Sequence, residues 1–583
     1  MLLPIIWLAL ILSTHAQETL ETVEVTATKE LKDFHLGRSE KIDDPAPFAL
    51  LGQAIQEAQG VVTSQNGGPG GRVAFFIRGT EARHVLFTLD NLKINDPSNT
   101  DRQFDAAFFT SPFLESIVLH KGPQAVLFGS DAMGGVVDMK SRKGEEAPQT
   151  RLLLNAGSFG TTDASLSKDW QGKSSRGTLT WSSFRTDGIS RLNKKRFRAK
   201  ERDGTELTQL TSSSNHAWSS KTQSDLLVSF LRGQSELDGF IDDNSNDRSF
   251  SDQYLLQQKT SHELSSSSAI SLRNGLSRHD RRIKTLAAGD NFYAGDLGQH
   301  EFLYEQEKGG LRLLIGAALE EEALAQNHER AHADLRSIFV QTSIKLKEAK
   351  VQAGLRYEDH SLFGKYQTGS MGLAYGNFAL QWSQGLKAPS LYQLYGLPLF
   401  GTPIGNKDLA PEKNNSLEAK WSLDPIMEVA LFRNSLSDLI TFTNQGYINQ
   451  ARFISQGAEL SSNFSTSNLR FRPFFTFQDF KQERNTVLRR PTRSMGLDAS
   501  WFPFEALELF TKVRFYNERK DLGESGTEVK LNGFETVSVG AKYTIGPSEY
   551  GVEVVNLANR EYEELYGYSV MPRSVFFHFG RRF

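Results

Sequence analysis

His328-Glu329-Arg330-Ala331-His332 has the H-E-x-x-H spacing with which a helix sets two histidines on one face to hold zinc, beside a glutamate that activates water. Two alternating, strand-like runs flank it, Leu311 to Leu319 and Ile338 to Leu346, so a connecting loop is expected there and protease chemistry is set aside. Gly172-Lys173-Ser174 matches the end of a phosphate-binding loop, but Ser167 stands where that motif needs its first glycine. Glu236, Asp238, Asp242, Asp243 and Asp247 offer the hard oxygen ligands that calcium takes, in a spacing that is not an EF-hand's. The basic segment Arg191 to Arg202, with Lys194, Lys195, Arg196, Arg198 and Lys200, suits phosphate groups or an anionic ligand if it is a surface loop, or plain water. No catalytic machinery of a hydrolase is found, and there is no cysteine for thiolate or disulfide chemistry. The chain does not read as an enzyme.

The elements that would carry these residues follow one pattern. Beyond residue 150, alternating segments of about ten residues are separated by polar stretches rich in Gly, Asn and Asp. Val351, Ala353, Leu355 and Tyr357 share one face against Gln352, Gly354, Arg356 and Glu358. Ile338, Val340, Ile344 and Leu346 alternate with Gln341, Ser343 and Lys345. The same holds for Leu417, Ala419, Trp421 and Leu423 against Ser416, Glu418, Lys420 and Ser422, and for Val537 to Ile545. A sandwich in water alternates too, but here the last strand carries Val575, Phe577 and Phe579 on one face and the chain stops on that face at Phe583, with Arg581 interrupting the stripe. Forty phenylalanines suit lipid-facing girdles. Net charge is −3, which gives no basic surface for nucleic acid.

The one long apolar run, Leu2 to Leu12, is too short to span as a helix and is followed by Thr14 and Ala16, as in a signal peptide over residues 1–16 cut before Gln17. Residues 40–147 differ from the rest: short apolar runs (Val73 to Ile77, Val85 to Leu89, Ser116 to Leu119, Gly135 to Met139) lie between glycine-rich turns, and Phe48 to Gln59 has helical spacing. A small α+β domain is expected there. Residues 148–583 leave about 435 residues for a wall, or about 22 antiparallel strands, a width whose lumen needs a plug.

Several dense strings then occur in one order: Phe76-Ile77-Arg78-Gly79, His84 to Asp90, Lys121-Gly122-Pro123-Gln124 and Phe128 to Val137, followed by Leu386 to Tyr392, Leu409 to Lys413 and Asn556 to Tyr562. Together they resemble the TonB-dependent outer-membrane receptors, a resemblance that runs from the small domain to the C-terminus. It implies an all-β transmembrane barrel with the α+β domain as a plug in its lumen, in the outer membrane of a Gram-negative-type cell. It also implies active uptake of a scarce metal-chelate solute, powered by TonB with ExbB and ExbD, and a wall facing lipid. Glu21, Thr22, Val23, Glu24, Val25, Thr26 and Ala27, in the segment 17–39, resemble a TonB box, whose β-branched residues favour an extended strand that adds to a partner's sheet edge.

Arg78 and Lys121 match the family's plug cations, and Glu418 and Glu459 its wall carboxylates. Both glutamates lie opposite apolar neighbours and so face the lumen. Such a quartet would latch the plug and remain switchable, because breaking one buried partner costs several kcal/mol. Lys121 replaces the usual arginine, so no bidentate pair is expected there. Within the family, Ser64 to Gly71 looks most like vitamin B12 (cobalamin) receptors. By that likeness, Gln65, Asn66, Gly67, Arg72, Asp96, Ser98, Asn99 and Arg102 are the expected ligand contacts in two apex loops, and the acidic loop is expected to hold calcium, with no other cofactor required. Ferric siderophores are the alternative cargo. Haem is disfavoured because no histidine lies between Ala388 and Lys413. A passive porin or adhesin would explain the wall but leave the plug strings unexplained.

Overall fold

The computed structural model describes residues 35–583 except 44–49, 146, 198, 200, 239–246, 286–288, 398–403, 444–445 and 484–486. The signal peptide and the TonB-box string lie outside the described residues, as do Asp242 and Asp243 of the acidic loop.

From Thr150 to Arg582 the alternating segments form a closed antiparallel barrel of 22 strands. The last strand, Ser574–Arg582, closes it on the first, Thr150–Gly157, with Phe577 opposite Ala156. Alternation is why it closes this way: Val351 and Leu355 stand outside, while Gln352, Arg356 and Glu358 are buried within. Leu276, Ile338 and Phe378 are 55%, 62% and 65% exposed on the outer face, an apolar band that only lipid would cover. Trp218, Tyr375, Phe378 and Phe504 flank the short turns at one end as an aromatic girdle. At that same end Arg581, the interruption in the C-terminal stripe, lies over the Phe583 ring, 4.9 Å from its centroid. The opposite end carries the long connections, including 187–204, 388–411 and 556–573. Among the described residues no helix is long and apolar enough to cross a membrane.

Among the described residues the plug has seven strands: β1 (Ser39–Asp43), β2 (Val61–Gln65), β3 (Val73–Ile77), β4 (Val85–Leu89), β5 (Leu92–Lys93), β6 (Leu114–Lys121) and β7 (Gly135–Ser141). Five form a sheet in the order β1-β6-β7-β4-β5, in which β4 and β7 are parallel, and β2 pairs with β3. Asp90 and Asn91, both at positive φ, make the tight β4–β5 turn. Glycines matter where chains touch: a Cβ on Gly134 would lie 2.2 Å from Thr80 Oγ1, and one on Gly135 2.7 Å from the His120 carbonyl. Phe75, Phe87, Phe104, Phe109 and Phe113 form a ladder with ring centroids 5.0 to 5.9 Å apart. This core runs without a break into Leu207, Leu227, Leu231 and Leu255 of the wall.

Two expectations change. The helical spacing from Phe48 to Gln59 yields only α1, Leu51–Gln56, because the chain turns at Gly60 with φ +72° into β2, and Phe48 lies outside the described residues. The H-E-x-x-H string is not in a loop: Asn327 and His328 make a tight turn, and Glu329 to His332 open the strand Glu329–Leu346. In a strand, positions four apart lie about 13 Å from each other, so the two histidines cannot share a metal.

Candidate functional site

Charges from the plug and the wall meet at the end of β3. Arg78 takes a left-handed conformation (φ +50°) followed by Gly79 (φ +74°), an unfavourable backbone that aims its guanidinium at the wall. Its Nη1 and Nη2 donate to the two oxygens of Glu418 at 2.8 and 3.0 Å, a bidentate fork, and Nη2 also reaches Glu459 Oε2 at 3.1 Å. Lys121, at the end of β6, donates to Glu459 Oε1 at 3.2 Å and to the Gln59 carbonyl at 2.9 Å. The side chains of Arg78, Lys121 and Glu459 are wholly buried.

A third cation, Arg38, escaped the sequence reading because it precedes β1 in what looks like linker. Its Nη1 lies 3.3 Å from Glu459 and its Nε 3.1 Å from Glu428, and its backbone N–H donates to Glu418 at 2.9 Å. Burial, with Arg38 close by, pulls the Lys121 ammonium below its ordinary pKa. Burial opposes the Arg78 charge too, but Glu418 and Glu459 outweigh it and keep that guanidinium fully protonated.

The recognised strings also meet one another. His84 and Arg83 lie 3.0 and 2.9 Å from Glu412, which also accepts the Ile440 N–H at 2.7 Å. Asp131 lies 2.8 Å from Lys387 and 3.2 Å from Arg102, whose other nitrogen reaches Glu322 at 2.6 Å. Although burial opposes ionisation, Arg102 and Lys387 hold the Asp131 carboxyl below the usual range.

Gln65 ends β2, Asn66, Gly67 and Arg72 stand on the loop from it to β3, and Asp96, Ser98, Asn99 and Arg102 on the loop after β5. Arg72 joins the two loops, donating to Gln103 at 2.6 Å and to Asn99 and Asp101 at 3.4 Å. The Gln65 N–H donates to Glu564 at 3.1 Å, and Gly67 packs on Arg191. Asp96, Ser98, Asn99 and Arg102 are buried, with Arg281 3.3 Å from Asp96 and donating to the Ser98 carbonyl at 2.7 Å. Gln65, Asn66 and Arg72 are the partly exposed members of the set.

The acidic loop is regrouped. Asp238 comes together with Glu201 and Asp203 of the neighbouring loop, one carboxylate oxygen from each lying within 4.8 Å of the others. Glu236 is instead bound to Arg248 (3.1 Å) and to the Gly204 N–H (2.9 Å), and Asp247 is buried with its carbonyl accepting from Leu237. Burial raises the Asp203 carboxyl to about 7, against the donating N–H of Arg191, and Asp238 adds to the rise. Asp203 Oδ1 is buried without a hydrogen-bond partner among the described residues. Hard carboxylate oxygens with a spare buried acceptor fit calcium. In the basic run, Lys195 pairs with Glu561 and Arg196 with Glu563 (2.8 Å).

A closed barrel with an apolar belt, and a plug held in its lumen by buried ion pairs, defines an outer-membrane receptor of the gated kind. A model of the TonB-dependent receptor-like β-barrel matches residues 148–559, and a model of the TonB-dependent receptor plug domain matches residues 38–136. The chain belongs to the TonB-dependent receptors of the Gram-negative outer membrane, transporters coupled to TonB. It is similar to the vitamin B12 transporter BtuB of Vibrio vulnificus (strain YJ016), at 25% identity covering 94% of this chain and 93% of that one. Among solved structures it resembles the siderophore receptor PirA of Acinetobacter baumannii (TM-score 0.79, 17% identity, 94% and 98% covered). It also resembles a mutant of the ferric enterobactin receptor PfeA of Pseudomonas aeruginosa (0.77, 16%, 94% and 98%). At those identities the solved structures bear on fold alone.

Proposed function

We propose that this receptor imports a bulky, nearly neutral metal chelate of the cobalamin type. TonB, driven by ExbB and ExbD, would pull on residues 21–27 while Arg78, Lys121, Glu418 and Glu459, joined by Arg38, latch the plug. The observation that carries the cargo class is the state of the apex charges. The two arginines of the apex loops both face carboxylates, Arg72 at Asp101 and Arg102 at Asp131 and Glu322. A strongly anionic ferric catecholate would need cations whose charge is not already matched, because desolvated anions bind only where they are paired. A neutral corrinoid needs hydrogen-bonding edges, which Gln65, Asn66 and Arg72 offer. The full-length likeness to a vitamin B12 transporter supports the same choice. Calcium at Glu201, Asp203 and Asp238 would offset two of the three carboxylate charges and fasten the two extracellular loops that carry them.

A ferric siderophore is the second reading, favoured by the fold neighbours. Titrating purified receptor with cyanocobalamin and with a ferric catecholate siderophore decides between them. Cobalamin binding at micromolar or better with no siderophore binding is expected, and the reverse pattern overturns the assignment.

A further inference from the structure

The plug seals only part of the wall. On the strand Thr205–Ser219 the inner residues Thr205, Leu207, Gln209 and Thr211 are buried under it, alternating with exposed outer ones. On Leu507–Tyr516 the alternation disappears, and all ten residues are half-buried. The same fading affects Phe534–Ile545 next to it. Along this arc the inner face meets space instead of the plug. A cavity of about 600 Å³ lies there between α1 and the wall, reaching from Gln65 and Tyr562 at the long-loop end to Glu508 and Lys542 near the short turns. From Tyr516 to Glu508 it follows the wall for about 20 Å along the barrel axis.

At mid-depth one plug side chain crosses it. Glu57, just after α1, bonds Lys512 at 3.0 Å and Arg514 at 3.4 Å. These groups are partly exposed, so their separation is inexpensive compared with that of the buried latch. The opposite arc is joined to the plug by continuous apolar core and by ion pairs such as Lys93–Glu320 at 2.7 Å.

We propose that this seam is the passage the solute takes, with Glu57 as its gate: detaching Glu57 from Lys512 and Arg514 connects the two ends while the plug stays fixed to the other arc. At mid-depth the lining pairs its charges, Lys512 with Glu57 and Glu553 and Arg514 with Asp498, so this stretch suits a neutral polar chelate and not a free ion. The inference rests on the import reading above.

The chain has no cysteine, so thiols can be placed at will. Single variants Glu508→Cys on the seam and Ser261→Cys on the sealed arc are labelled on cells with a membrane-impermeant thiol reagent added outside. Labelling of Glu508→Cys is expected to be about tenfold faster or more, and equal rates overturn the seam. Two double variants, Glu57→Cys/Lys512→Cys and Lys93→Cys/Glu320→Cys, are then joined with a short reducible crosslinker, and uptake of labelled cyanocobalamin and of a ferric catecholate siderophore is measured before and after reduction. The first link is expected to cut uptake about tenfold and release it on reduction, while the second leaves uptake within about twofold. Equal block by both links means the plug moves as a whole and overturns the proposal, as does undiminished uptake with the first link. Labelling needs no solute, so failure of both probes to enter the unmodified chain counts against the import reading and leaves the seam to its own test.

Discussion

Glu459→Gln is the sharpest perturbation of the plug, because three cations converge on this one buried carboxylate. The substitution keeps the shape of the side chain and removes one negative charge. Arg78 retains its fork to Glu418 and Arg38 retains Glu428, but Lys121 loses its ion pair and keeps the Gln59 carbonyl, with Glu40 the remaining nearby carboxylate. Breaking a buried pair by removing one partner costs about 3–5 kcal/mol. Since two of the three cations keep another carboxylate, and Lys121 can shed its proton, the lower end applies: about 3 kcal/mol, or roughly a hundredfold in the opening equilibrium of the plug.

Hydrogen–deuterium exchange on purified receptor reads this directly. Protection across Val73–Thr80 and Leu114–Gly122 should fall by roughly a hundredfold, with the barrel strands unchanged. The sign of the pH dependence is a second check. Lys121 has a depressed pKa in the folded plug, so the open state binds more protons, and stability rises with pH as Lys121 is neutralised. The defect of Glu459→Gln should therefore shrink between neutral and alkaline pH, and Lys121→Met should rescue part of it at neutral pH. A loss of protection under about fivefold, or a defect that grows with pH, would refute the latch.

Deleting residues 21–28 should abolish energised uptake and leave solute affinity unchanged, and uptake that persists would reject the pulling strand. Asp131→Asn takes the carboxylate from Lys387 and one of two from Arg102, which loosens the apex loop, so solute affinity by calorimetry should weaken about tenfold; an unchanged affinity would mean that the loop is held without it. Calcium, followed by terbium displacement, should bind about 25-fold more weakly at pH 5.5 than at pH 7.5, because Asp203 must lose a proton near 7 to act as a ligand, and a flat profile would exclude the site.

The barrel was legible because period-two alternation is local. Each strand declares its two faces without reference to any other part of the chain, and the faces of Val351 to Glu358 and of Leu417 to Leu423 follow the alternation. The strings of the plug were legible as strings, but not the contacts between them: His84 meets Glu412 and Asp131 meets Lys387 across more than two hundred residues, and nothing local in either partner names the other. Arg38 is the extreme instance, a cation in a featureless segment that gains its role only from where the lumen places it. The acidic loop was misgrouped for a related reason, since Glu201 and Asp203 come from a different connection than Asp238 and approach it only because the strands that carry them are neighbours in the wall.

The uneven seal is subtler, because alternation tells inside from outside but not plug from water. A trace of it is nonetheless present in the residues that point inward. On the strand Thr205–Ser219, where the plug is tight, the inner face carries small, amide or aliphatic side chains, Thr205, Leu207, Gln209, Thr211 and Ser213, buried with polar atoms bonded to neighbours. Where the plug stands off, the inner faces carry Glu508, Lys512, Arg514, Lys542 and Glu553, charges that line the open cavity and stay partly exposed. Inward charge is a trace and not a rule: Glu418 and Glu459 are charged, inward-facing and buried because plug cations meet them, whereas Glu508, Lys542 and Glu553 line the cavity on the side where Glu57 reaches across.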